Sequence, residues 1–221
     1  LGDVYKRQVL EKVYSLETER IIWQYMENES RIQYIKMEEN LGISGNSNRA
    51  LQAAKGAYVA LLDHDDVLTE DALYWVVDAL QRERYDVVYS DEDRMAENGS
   101  HYLEPRFKPE FDIDLLRAYN YISHLFVARR ELMLADGGFH SQYDGAQGYD
   151  MILRCCEGNR EICHIPRVLY HKRIHDGTSS EREAKHAQEN LAGKEALEAH
   201  VSREHLLARV MTVSYTHLRA H

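Results

Sequence analysis

A chain of 221 residues with 44% hydrophobic and 29% charged side chains suits one soluble domain with a proper core, and no apolar run approaches the length of a membrane span. The formal net charge of −10 excludes a binder of the nucleic-acid backbone, which needs clustered Lys and Arg, and an anionic substrate would need a metal ion as bridge. Cys155, Cys156 and Cys163 are an odd count without zinc-site spacing, which fits core or half-buried thiols in a reducing compartment.

Residues 1–8 and 212–221 fit no element beside them and read as flanking sequence foreign to the native protein. Residues 9–211 are then a single, partial domain. Leu10, Val13, Tyr14, Ile21, Ile22, Tyr25 and Met26 recur at helical spacing and predict an amphipathic helix over 9–27, followed by a short strand over 32–36. Next, a Gly/Asn/Ser loop from Asn40 through Gly42 to Asn48 runs into a helix with Gly56 as its C-cap. Such a loop can bring backbone N–H groups to an anion, and a simple loop with a cap reads equally well.

The apolar run over 58–62 predicts a strand buried on both faces, as in a parallel sheet, with Asp63, Asp65 and Asp66 at its carboxyl end. Open α/β sheets bind ligands outside such strand ends. Three carboxylates within four residues repel one another unless a cation joins them, and oxygen ligands of this kind suit Mg²⁺ or Mn²⁺. Thr69 then caps a helix whose face is Leu73, Val76, Val77 and Leu80, and the strand over 85–90 ends in a second acidic run, Asp91, Glu92 and Asp93.

Residues 94–120 predict a long loop with a short helix over 112–117. Further on, the sequence predicts a strand over 123–127, a short helix over 130–135, a polar loop from Asp144 to Tyr149 and a helix from Asp150 to about Glu157. A strand pair over 162–165 and 168–171 leads into Lys172, Arg173 and His175, and Ala184, Ala187, Leu191, Leu197 and Val201 mark a last amphipathic helix. Alternating helices and strands predict an α/β fold with a mainly parallel sheet flanked by helices.

Several segments together resemble the inverting family 2 glycosyltransferases of the GT-A fold, over about residues 9–210. They are Asn40-x-Gly42 with Asn48, Leu62-Asp63-His64-Asp65-Asp66, Tyr89-Ser90-Asp91-Glu92-Asp93, Phe107-Lys108-Pro109, and Asn120-Tyr121-Ile122-Ser123-His124-Leu125. The series continues in Gly145-Ala146-Gln147-Gly148-Tyr149-Asp150 with Leu153-Arg154, and in Leu169-Tyr170-His171-Lys172-Arg173. The nearest subgroup resembles bacterial enzymes that build O-antigen, rhamnan or capsular polysaccharide, and this chain would lack the family's amino-terminal strand.

The resemblance implies a nucleotide-diphospho-sugar transferase that moves a sugar from a UDP- or dTDP-sugar donor to a glycan or lipid-linked acceptor hydroxyl. It also implies a divalent cofactor, Mn²⁺ or Mg²⁺, held by Asp63, Asp65 and His171, with Asp66 ligating or orienting. Donor contacts fall on Asn40, Gly42, Asn48, Asp63, Asp65 and Arg173, with Lys172 adding charge, and acceptor contacts on Asp91, Asp93 and His124. Glu92 reads as a turn residue. The family's general base, an acid shortly before the Tyr-Asp pair, is replaced here by Gln147-Gly148, so Asp150 or Asp144 takes that role. Partners are donor and acceptor, with no nucleic acid and no transmembrane segment; the place is the cytoplasm, reaching to the inner membrane surface. The alternative is a non-catalytic GT-A-like module that binds a nucleotide or glycan, and a metal-dependent phosphohydrolase ranks last.

Overall fold

The computed structural model describes the backbone of residues 6–10, 16–174 and 179–211, and the side chains of residues 16–174 and 187–211. Residues 1–5, 11–15 and 212–221, His175 and the side chain of Ala184 lie outside the described residues.

Strand β1 (Lys6–Leu10) runs parallel to β2 (Ile32–Lys36), with helix α1 (Leu16–Asn28) between them in sequence. The helix expected from residue 9 thus starts at Leu16, and residues 6–10 are extended instead. Helix α2 (Gly42–Ala53) takes in most of the expected Gly/Asn/Ser loop. Asn40 makes this possible: its Oδ1 accepts from the Gly42 N–H at 2.8 Å, while Gly42 takes φ +71°, where a side chain would be strained. Strand β3 (Tyr58–Leu61), β4 (Val67–Leu68) and helix α3 (Ala72–Arg82) lead to the long strand β5 (Val87–Met95).

The expected loop over 94–120 contains a strand, β6 (Tyr102–Arg106), which folds back on β5, and the short helix α4 (Ile113–Ala118). Asp112 caps α4 by accepting from the N–H groups of Asp114 and Leu115 at 2.8 and 3.0 Å. Strand β7 (Phe126–Arg129), helices α5 (Arg130–Leu134) and α6 (Gln147–Cys156), strand β8 (Ile162–Arg173) and helix α7 (Ser179–Arg203) complete the chain. The expected strand pair before Lys172 is this one strand β8. Its register against β5 jumps from Ser90↔Ile165 to Asp91↔Val168, so Pro166 and Arg167 bulge out, where a residue lacking N–H costs no ladder bond.

The second sheet has the order β3-β7-β5-β8-β4, with β6 pairing with the carboxyl-terminal part of β5, beyond the stretch that β7 covers. Here the expectation of a mainly parallel sheet is corrected to a mixed one. β3, β5 and β8 do run the same way, as helical crossovers require, but β7 inserts antiparallel between β3 and β5, and β4 and β6 are antiparallel to their neighbours. β3 is also an edge strand, half-buried rather than covered on both faces, so the central strand is β5.

β5 divides the core by its pleat. Val87 and Tyr89 join Leu116, Ile122, Phe126, Met151, Ile152 and Leu153 on one face, and Val88 joins Val76, Leu125, Val127, Leu169 and Tyr170 on the other. Cys155 and Cys156 are buried in the first cluster and Cys163 is half-buried. Helix α7 packs on α6, and Ala192, Ala196 and His200 of α7 are buried. Arg117 Nε donates to His200 Nε2 at 3.1 Å, which fixes the proton on Nδ1, 2.8 Å from Glu157 Oε1. Arg203 donates to both oxygens of the same carboxylate.

Burial opposes the charge of Glu157, but His200 and Arg203 outweigh it and hold the carboxyl below its ordinary value of 4.5. A depressed carboxyl stabilises the fold above its unfolded pKa and loses that contribution as pH falls through the folded one. Glu157→Gln should therefore cost roughly 1–3 kcal/mol at neutral pH. Urea unfolding at pH 7 and in steps below pH 4.5 should show the gap to wild type closing in acid.

Candidate active site

The acidic turn after β3 is shaped by the end of β8. The buried Tyr170 hydroxyl donates to Asp66 Oδ2 at 2.6 Å and accepts from the Asp63 N–H at 3.3 Å. Arg173 donates its backbone N–H to Asp66 Oδ1 at 2.8 Å, Nε to the Asp65 carbonyl at 2.7 Å and Nη1 to the Glu97 carbonyl at 2.5 Å. Both oxygens of Asp66 are thus held by groups of β8, which aligns the turn.

His124 faces this turn from the irregular segment before β7, since the strand expected from residue 123 starts only at Phe126. Ser123, at φ +41°, directs it there, with its N–H held by Asn120 Oδ1 at 3.1 Å. The imidazole stacks on Tyr170 at 4.6 Å, its Nε2 lies 3.6 Å from Asp63 Oδ2, and its Nδ1 lies 2.9 Å from Ser123 Oγ and 3.4 Å from Glu92 Oε2. Behind it, Glu92 Oε2 accepts from the His124 N–H at 3.1 Å and pairs with Lys108 Nζ at 3.3 Å. Lys108 also donates to the carbonyls of Ile122, at 2.6 Å, and of His124.

Asp63, Asp66 and His124 each offer one ligand atom, and these atoms lie within 4.8 Å of one another. Asp63 is exposed, whereas the other two are half-buried. A hydrogen bond to His124 holds the Asp63 carboxyl below its ordinary value against the opposing effect of burial. Burial works against the imidazolium, but Asp63 and Glu92 outweigh it, so His124 titrates above its ordinary value. Glu92 is held at about 2 although burial opposes its charge, because His124 and Lys108 prevail; burial draws Lys108 down to about 8 against the pull of Glu92. Both members of the buried pair are charged at neutral pH.

The metal set expected from the sequence, Asp63, Asp65 and His171, is not the one brought together. The Asp65 carboxylate is turned toward His64, at 3.9 Å, and its carbonyl receives Arg173. His171 leaves β8 on the face opposite Tyr170: its Nδ1 lies 2.6 Å from Asp93 Oδ1 and its ring lies under that of Tyr102 at 3.9 Å. Asp91 is buried as well, with Oδ1 2.8 Å from His164 Nε2 and accepting from the Lys108 N–H at 2.8 Å. Of the acids 91–93 it is therefore Glu92, read as a turn residue, that reaches the site, and Asp91 and Asp93 that face away from it.

The expected base and donor loop are spent inside the fold. Asp150 has no exposed surface; its Oδ2 accepts from Arg154 Nε and Nη2 at 3.0 and 2.8 Å, and Arg154 in turn holds the Gly138 carbonyl. An acceptor hydroxyl has no path to it. Asp144 Oδ1 accepts from Ser44 Oγ, and a Cβ on Gly42 would lie 3.3 Å from its Oδ2, so the anion at the start of α2 is the chain's own. Asn48 donates Nδ2 to the Phe139 carbonyl and accepts from its N–H, at 2.8 and 2.7 Å, in the manner of a strand partner. Gly148, by contrast, opens on free space: a Cβ there meets nothing within 4 Å.

Residues 15–134, more than half of the chain, match the family described as Glycosyl transferase family 2. Protein y4gI of Sinorhizobium fredii is 40% identical over 190 residues, 85% of this chain and 21% of that protein. The O-antigen biosynthesis protein RfbC of Myxococcus xanthus is 36% identical over 84% of this chain and 14% of its own length. The chain therefore spans about a fifth or less of these two relatives. Among solved structures, S. aureus TarS 1–349 in complex with UDP-GlcNAc superposes with a TM-score of 0.59 at 16% identity, over 85% of this chain and 61% of that one, which shows a shared fold.

Removing one member of a buried ion pair strands the other. Lys108→Met should cost about 3–5 kcal/mol in urea unfolding, and Glu92→Gln combined with Lys108→Met should lie closer to wild type than Lys108→Met alone. Gly138→Ala would place a Cβ 2.3 Å from Asn48 Oδ1. Its cost and that of Asn48→Ala should overlap rather than add in a double-mutant cycle, since both break one clamp.

Proposed function

The chain belongs to glycosyl transferase family 2, and on that premise we propose that the protein transfers a sugar, with inversion, from a UDP- or dTDP-sugar to a hydroxyl of a glycan or lipid-linked acceptor, in the synthesis of cell-surface polysaccharide. The observation that carries this is the convergence of Asp63, Asp66 and His124 on one side of the turn after β3. Their helix-flanked mixed sheet is the GT-A arrangement, in which donor chemistry takes place at strand ends of this kind.

Two carboxylate oxygens and an imidazole nitrogen fit Mn²⁺ or Mg²⁺. Asp63, Asp66 and His124 would hold the ion, which would offset charge on the donor's diphosphate. The protein's own part is alignment. Glu92, anchored by Lys108, orients His124, and Tyr170 with Arg173 holds the turn, so the ligating groups are set before substrate arrives. In the transfer, the acceptor oxygen bonds to the anomeric carbon as the bond to the β-phosphate oxygen breaks. The electron pair leaves with the nucleoside diphosphate and the hydroxyl proton passes to a base.

That base is the weak point of the arrangement, since Asp144 and Asp150 are both engaged within the fold. The open space at Gly148 favours a second reading, a nucleotide- or glycan-binding module that lacks the proton acceptor. No described helix is long and apolar enough to cross a membrane. A nucleotide-sugar donor supplied inside the cell is consistent with a cytoplasmic site of action.

Isothermal titration should show UDP or dTDP binding that requires Mn²⁺, is abolished by EDTA, and falls at least about tenfold in Asp63→Asn or His124→Ala, the scale of losing a charge-assisted contact. Binding that ignores EDTA and both substitutions would remove the metal site. Gly148→Asp separates the two readings. If a missing base is the defect, nucleotide release from UDP-GlcNAc, UDP-glucose or dTDP-rhamnose should rise by about 10²-fold; intact binding with no release in either form would favour the module.

A further inference from the structure

Two cations stand side by side at the end of β8, and the fold uses them differently. Resting on the donor-site reading above, we propose that Lys172, and not Arg173, is the cation that meets the donor's diphosphate, while Arg173 is a strut that positions the acidic turn.

The first ground is what Arg173 already holds. Its Nε donates to the Asp65 carbonyl, its Nη1 to the Glu97 carbonyl and its N–H to Asp66 Oδ1, so the guanidinium ties the acidic turn to the β5–β6 connection. Turning it toward a phosphate would release two carbonyls and loosen the turn that carries Asp63 and Asp66.

The second ground is the pleat of β8. Tyr170 lies on the face where His124 stacks and Asp66 is bound, and His171 points the other way to Asp93 and Tyr102. Lys172, two residues after Tyr170, therefore leaves the strand on the site's face. Lys172 is exposed, and among the described residues its ammonium has no ion pair or hydrogen bond. Its register partner, Arg94, is turned to Glu104 at 3.0 Å.

The third ground is charge balance. Asp63 and Asp66 would already bring two negative charges to one divalent ion, so that ion would offset a bound diphosphate only in part, and a further cation is needed. An ammonium on a flexible stem answers that need as a point charge and demands no fixed geometry.

The test compares UDP with uridine, and dTDP with thymidine, by titration calorimetry on the whole chain in the presence of Mn²⁺. Lys172→Gln should weaken the diphosphates about ten- to a hundredfold while leaving the nucleosides unchanged, and Lys172→Arg should restore most of the loss. Arg173→Lys should weaken nucleotide and nucleoside together and lower the midpoint of thermal unfolding, as loss of a strut would. Unchanged UDP and dTDP binding in Lys172→Gln overturns the assignment, as does an Arg173→Lys variant that loses only the diphosphates. A wild-type chain that binds none of the four ligands overturns the donor-site reading itself, and this assignment with it; ordinary diphosphate binding in wild type with no effect of Lys172→Gln overturns the assignment alone.

Discussion

A β-strand sends successive side chains to opposite faces of its sheet, and in this protein that one constraint sorts the chemistry. Along β5 it turns Glu92 toward His124 and sends Asp91 and Asp93 to the other side, where each meets a histidine. Along β8 it places Tyr170 and Lys172 on the site's face and His171 on the opposite one. Neighbouring acids, or neighbouring histidine and lysine, therefore serve different surroundings although one residue separates them in sequence.

The groups buried by this sorting are all paired. Lys108 and Glu92 are nearly without solvent, and Lys108 spends its remaining donors on two carbonyls, so neither charge is left alone in the interior. Such a pair contributes little net stability compared with well-packed hydrophobes, but it tolerates few arrangements of its neighbours. That intolerance fixes the segment over 120–124, where Ser123 adopts a left-handed backbone and His124 is presented to the acidic turn. Rigidity at the site comes from behind it, while Asp63, at the front, stays open to solvent.

A similar economy governs the family's motif residues. Asn40, Asn48, Asp144 and Asp150 look like ligand-binding groups when taken by residue type, yet each is consumed by a backbone or side-chain partner within the fold. They hold α2 to the turn before Phe139 and α6 to the turn at Gly138, and so set the distances between the elements that frame the site. Arg173 belongs with them, since its donors are shared between the acidic turn and the β5–β6 connection.

Helical and strand periodicity and the acidic run after β3 were enough to read an α/β chain with a cation site at a strand end, because these depend on local spacing and residue type, while the family came from the resemblance carried by the order of its motifs. Even the co-direction of β3, β5 and β8 was implied by the helices between them. The insertion of β7, the edge position of β3, the bulge at Pro166 and the choice of Asp66 and His124 over Asp65 and His171 were decided only in three dimensions. Each depends on which face a side chain takes and which distant donor reaches it first. A strand's register settles such questions over separations of up to about a hundred residues, as between Asp66 and Tyr170, and no local pattern records them.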